Sequence, residues 1–205
     1  MPKQACFRFR SRQKLGSIAL VYYLIYQQSQ NSDGVIVALP ERKSLLQKPA
    51  FGGTLKPMSA NIDQIIIVAS DQPEPNPYLI DRYLVAAENL PATPIILLNK
   101  IDLLNDSNQQ LINDIEKDYL SIDYQIIKTS NVIDQGFNEL ISALESRTSI
   151  FVGLSGVGKS SLINHLLPEL DIRVGELSAA SGEGTHTTTS STLYNLPCGG
   201  KLIDS

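Results

Sequence analysis

Eight consecutive residues, Gly153-Leu154-Ser155-Gly156-Val157-Gly158-Lys159-Ser160, place three glycines, a lysine and a hydroxyl at fixed spacing. That combination suits a polyphosphate. Glycines let successive backbone N–H groups turn towards phosphate oxygens, Lys159 brings a point charge to the β- and γ-phosphates, and the Ser160 hydroxyl can ligate Mg²⁺. Ser161 follows as a further candidate phosphate contact. The segment fits the Walker A pattern, and its flanks agree, with an apolar run at 149–152 before it and helical periodicity over 159–167 after it. The plainer reading, a glycine-rich turn capping a helix, does not account for strand, loop, Lys-Ser pair and helix together.

A nucleotide is implied, and a second motif addresses its base. Asn99-Lys100-Ile101-Asp102 follows the apolar run 94–98, so its side chains emerge at the carboxyl edge of a strand, where open α/β sheets bind ligands. Asp102 can accept from both N1–H and the exocyclic amine of guanine. Adenine offers neither group in that arrangement, so a buried carboxylate here rejects it by being left unpaired. Alone, four residues fit a loop with a capping Asp equally well; beside a Walker A segment they mark Asn99, Lys100 and Asp102 as guanine-binding candidates. Twenty-seven residues past Asp102 comes Thr129-Ser130-Asn131, of which Ser130 is the candidate for the guanine side.

Two further segments suit a metal. The polar stretch 178–189 ends in Gly184-Thr185-His186-Thr187-Thr188-Thr189 and has the composition of a switch, in which a threonine completes a Mg²⁺ shell only when the γ-phosphate is present. The bland alternative is a solvated linker into a strand. The run 201–204 delivers Asp204, a carboxylate suited to holding Mg²⁺ through water.

These residues need a frame. From residue 62 onward, runs at 62–70, 94–98, 124–128, 148–152, 191–196 and 201–204 read as strands, alternating with helical spacing at Ile80, Tyr83, Leu84, Ala87 and Leu90, again at Leu111, Ile112, Ile115 and Tyr119, and again at Phe137, Leu140, Ile141 and Leu144. The expected fold is α/β, with a parallel sheet and crossover helices over 59–205. Prolines at 73, 75 and 77 mark a loop leading into the first helix. Residues 1–58 show short apolar runs, turn signals and no helical repeat, as a small β-barrel would.

Of 205 residues, 42% are apolar and 19% charged, as in a globular chain. The longest apolar run, 18–26, is too short to span a bilayer, and no apolar signal core opens the chain, so neither a membrane nor secretion is expected. Cys6 and Cys198 are too few for a disulfide framework, and a reducing cytoplasm is the expected compartment. The net charge of −4 conceals a division. Residues 1–58 carry nine Lys/Arg against two acids, a net +7, and residues 59–205 carry −11. A basic module joined to an acidic one suggests that the first part touches a polyanion.

The order of motifs is unusual. Ordinary GTPases run from Walker A through the switch threonine and the Mg²⁺ aspartate to the guanine motif, whereas here Asn99–Asp102 and Ser130 come first. The same site is then reached by a circular permutation. In this the chain resembles the RsgA/YjeQ family of ribosome-assembly GTPases, on Asn61-Ile-Asp-Gln-Ile-Ile-Ile-Val68, Ile80-Asp-Arg-Tyr-Leu84, Asn99–Asp102, the segment 153–162, His186–Thr189 and Ile203-Asp204-Ser205. The resemblance implies an OB-like, RNA-binding barrel over 1–58 and a permuted GTPase domain over 59–205. It also implies a second switch and a zinc domain beyond residue 205, which would hold Zn²⁺. GTP/GDP, Mg²⁺, the small ribosomal subunit and its rRNA are the implied partners, with GTP hydrolysis stimulated by the subunit during late maturation, in the cytoplasm, by a monomer. One of Thr187–Thr189 is the expected switch ligand, and Thr188 is chosen because it lies sixteen residues before Asp204, a separation that resembles other permuted GTPases. Since the family carries a hydrophobic residue where classical GTPases position water, His186 is the candidate for orienting it; a switch contact to rRNA is the other reading. The chain departs from the family pattern at Asn131, where Ala is common, at the apolar 18–26, and at Thr185 before His186. Asn99–Asp102 argues against an ATP-dependent kinase or ATPase. A GTP-responsive RNA-binding switch with negligible turnover shares every motif and stays open.

Overall fold

The computed structural model describes residues 9–11, 25–28, 34–38, 40–49, 53–105, 109–168 and 192–204. The chain divides into two compact units, residues 1–61 and 62–205.

In the first unit, β1 (Phe9–Ser11), β2 (Ile25–Gln28) and β3 (Gly34–Ala38) form a sheet in the order β1-β3-β2, with β1 parallel and β2 antiparallel to β3. A separate hairpin joins β4 (Leu45–Pro49) to β5 (Leu55–Ala60), with a register shift at Leu46/Gln47. Position 58, where the charge balance changes, lies inside β5. Most of 18–26 falls outside the described residues.

The second unit is built on a six-stranded sheet. Its strands are β6 (Gln64–Ser70), β7 (Thr93–Asn99), β8 (Gln125–Thr129), β9 (Thr148–Val152), β10 (Thr192–Asn195) and β11 (Lys201–Asp204), in the spatial order β10-β11-β9-β6-β7-β8. All pairs are parallel except the hairpin β10–β11. Each expected strand past residue 62 is present. Their sequences explain why: a strand covered on both faces reads as a continuous apolar run, and all seven residues of β6 are buried.

Among the described residues four helices cover the faces: α1 (Pro77–Glu88), α2 (Gln109–Leu120), α3 (Phe137–Leu144) and α4 (Lys159–Leu166). Asn76 caps α1 by accepting from the Tyr78 N–H at 3.0 Å, and Pro77 supplies a preset φ at the first position. Ile80, Leu84 and Ala87 bury the inner stripe of α1, which packs on β6 and β7. The opposite face carries α3 and α4, where Leu140, Leu144, Leu162 and Leu166 meet Ile66, Leu97 and Phe151 in one core. Chain order and spatial order differ at one point that matters: β9, which leads into the glycine loop, lies between β6 and β11.

Candidate nucleotide-binding site

Parallel pairing brings the carboxyl ends of five strands, β11, β9, β6, β7 and β8, to one edge. Ser70 on β6, Asn99 on β7 and Thr129 on β8 share one register row, and Asp204 on β11 is level with Phe151 on β9. The glycine loop, the Asn99–Asp102 segment and Ser130 all leave the sheet there.

Asn99 is 4% exposed, and both ends of its amide are used inside the protein. Its Nδ2 donates to the Val157 carbonyl at 2.9 Å, and its Oδ1 accepts from the Thr129 hydroxyl at 3.1 Å. Asn99 thus ties β8 to the glycine loop. A side chain at Gly158 would forbid this: a Cβ there would lie 2.3 Å from Asn99 Nδ2, on a backbone at φ +98°. Val157, 2% exposed, anchors the loop in the core while Leu154, Ser155 and Gly156 stay exposed.

Lys100 adopts a left-handed conformation at φ 61°, turning the chain into the 3-10 helix Ile101–Leu103. Its ammonium donates to the Gly156 carbonyl at 2.6 Å and to that of Gln72 at 2.8 Å, so it spans the mouth of the glycine loop. Asp102 accepts from the Ser130 hydroxyl. Ser130, fully buried, also accepts through Oγ from the N–H groups of Val132 at 3.1 Å and Ile133 at 3.3 Å. One oxygen therefore shapes the turn and orients the carboxylate.

On α4, Lys159 donates to the carbonyls of Gly153 and Leu154, each at 2.9 Å. Burial pushes its pKa below the ordinary lysine value, and the charge of Asp204 partly opposes the shift. Lys159 and Asp204 thus share one electrostatic neighbourhood. Ser160 and Ser161 lie half-buried in the first turn of the same helix. His165, further along α4, stacks on Phe137. His186 and Thr188 lie outside the described residues. Among the described residues, no group of three or more His, Cys, Asp or Glu is placed to hold a metal.

Sequence reasoning missed Gln72 and Thr129 as members of this arrangement. Gln72 opens the loop after β6, and the prolines at 73 and 75 were the available signal that this loop is stiff; nothing local shows that its carbonyl meets Lys100.

Residues 39–205 match the RsgA GTPase family. The chain belongs to that family. Two relatives named small ribosomal subunit biogenesis GTPase RsgA, from Chromohalobacter salexigens and Hahella chejuensis, are each 47% identical over 97% of this chain, covering 58% and 57% of their own lengths. The chain thus spans a little under three fifths of these RsgA relatives. Among solved structures, YjeQ from Thermotoga maritima is similar at TM-score 0.71 and 33% identity, over 96% of this chain and 64% of that one. YloQ, described as a circularly permuted GTPase, is similar at TM-score 0.65 and 30% identity, over 97% of this chain and 62% of its own.

Proposed function

We propose that this chain binds and hydrolyses GTP and acts in the late maturation of the small ribosomal subunit. The observation that carries the reading is the joining of the two motifs: Asn99 and Lys100 hold the Val157 and Gly156 carbonyls of the glycine loop, while two residues on Asp102 is held by Ser130. In this reading, base and phosphate recognition are joined by hydrogen bonds. The names of its relatives support the ribosomal role.

In this proposal Asp102 accepts from N1–H and the exocyclic amine of guanine, and Lys100 flanks the base while closing the loop mouth. The backbone N–H groups of Gly153–Gly158 and the first turn of α4 receive the phosphates, with Ser161 adjoining. Lys159 exchanges its two carbonyl partners for β- and γ-phosphate oxygens. The donor set fits Mg²⁺: a hydroxyl on Ser160 and a carboxylate on Asp204 are hard oxygens, and the influence of Asp204 on Lys159 supports putting both at the phosphate end. When bound, Mg²⁺ neutralises charge developing on the phosphate oxygens. Thr188 is proposed to join the metal only in the GTP state, and His186 to orient the attacking water. Residues 1–58 are proposed to form the OB-like barrel that meets rRNA through their positive charge. The protein is proposed to work as a cytoplasmic monomer; no helix among the described residues is long and apolar enough to cross a membrane.

Competition binding tests the base assignment. The chain should prefer GDP to ADP, and Asp102→Asn should weaken GDP about 10- to 100-fold, the worth of hydrogen bonds to a charged group, while improving xanthosine diphosphate. Equal affinity for GDP and ADP would overturn the reading.

A further inference from the structure

The loop that leaves β8 is strapped to the helix that follows the glycine loop. Asn131 Nδ2 donates to the Ser161 carbonyl at 3.0 Å. Three residues on, Asp134 Oδ1 lies 3.4 Å from His165 Nε2, whose ring stacks on Phe137 with centroids 3.4 Å and planes 17° apart. Ser161 and His165 are one helical turn apart and so lie on the same face of α4. The strap therefore has two anchors on one stripe of the helix.

Neither anchor is demanded by packing. Asn131 and Asp134 are exposed, and water would satisfy their polar atoms if the protein did not. What distinguishes Asn131 is its neighbour. Ser130 gathers the Asp102 carboxylate and two backbone N–H groups around one oxygen, and the turn it organises, Ser130 to Ile133, is the segment Asn131 pins to α4.

We propose that Asn131 is a positioning residue for guanine discrimination: by fixing the Ser130 turn against α4 it holds Asp102 where the carboxylate takes both base N–H groups. The His165–Asp134 contact is the second anchor of the same device. This rests on the guanine-nucleotide reading above. It extends that reading to a residue that touches neither base nor phosphate through its side chain, and it couples the base-reading turn to the helix carrying Lys159 and Ser160.

The readout is selectivity for the exocyclic amine, since inosine diphosphate lacks that group and reports binding without it. In the full chain, Asn131→Ala should lower GDP affinity about threefold to tenfold, in line with one hydrogen bond, and inosine diphosphate affinity less, so that the GDP-to-IDP ratio falls. The unfolding midpoint should move by less than about 2 °C, as for an exposed substitution. Asn131→Asp, which keeps the shape and removes the donor, should reproduce the loss of ratio, and adding His165→Ala should deepen it. A normal ratio in either Asn131 variant, or equal losses for the two nucleotides, overturns the proposal while leaving guanine binding intact. A wild-type chain that binds GDP no better than ADP overturns the underlying reading as well.

Discussion

Lys159 shows how burying a charged side chain costs stability. Among the described residues its ammonium meets two loop carbonyls, and burial lowers its pKa while the charge of Asp204 partly opposes the shift. The folded lysine holds its proton less tightly than the unfolded one. This group therefore costs stability at neutral pH, and the cost fades as pH rises through the lowered folded value towards the ordinary 10.5. Phosphates at Lys159, as proposed, would reverse the shift. Nucleotide binding in alkaline buffer just below the ordinary lysine value should consequently take up a proton, seen as a calorimetric enthalpy that varies with the ionisation heat of the buffer. An enthalpy independent of buffer there would rule out the phosphate contact. Asn99 and Lys100 make the complementary point: in the chain alone, much of their polar capacity is spent on bracing protein carbonyls, which fixes where Asp102 stands.

At the level of elements, the approach of the β7 terminus to the glycine loop fixes what each can be. Gly158→Ala would set a methyl against Asn99 Nδ2 and strain a backbone at φ +98°. The strain is about 1–2 kcal/mol and the broken hydrogen bond about 1 more, lowering the melting temperature by roughly 4–10 °C and GDP affinity at least about tenfold. Gly199→Ala is the control, because its φ of +82° is equally left-handed while the nearest atom to a Cβ is Ser146 Oγ at 3.7 Å; it should lose stability and keep GDP affinity. Equal affinity losses in the two variants would show that strain, not the meeting with Asn99, decides. The glycine loop was legible in the sequence because phosphate geometry dictates its spacing, and β6 and β7 because burial on both faces dictates their composition. The pairings Asn131–Ser161 and Lys100–Gln72 were not legible. They join residues thirty and twenty-eight apart through carbonyls that any residue supplies, so only the packing of β8, α4 and the loop after β6 specifies them. In residues 1–58 the strands are short, and the parallel pairing of β1 with β3 left no periodic trace.

Over the whole molecule, charge is divided between residues 1–58 at +7 and the remainder at −11. If the basic part meets rRNA, affinity for small subunits should fall steeply with salt through counterion release. Lys43 and Lys56 are exposed, and replacing both with Gln should reduce the log–log salt slope by about 1 for each phosphate no longer neutralised, leaving GDP affinity unchanged. A slope equal to wild type in subunit-binding titrations would place the rRNA-facing surface elsewhere. The spatial order β10-β11-β9-β6-β7-β8 bears also on how the sheet comes into being. During translation, β6, β7 and β8 emerge together and can pair at once, but the strand that covers the other side of β6 is β9, synthesised only after β8 and α3. At about 5–20 residues per second, Ser160 follows Asn99 by several seconds. Through that interval a nascent half-sheet presents an open edge of Ile65, Ile66 and Ile67, the kind of edge that recruits chaperones or other chains. Arrival of β9, the strand that leads into the glycine loop, then pairs with β6 and covers that edge.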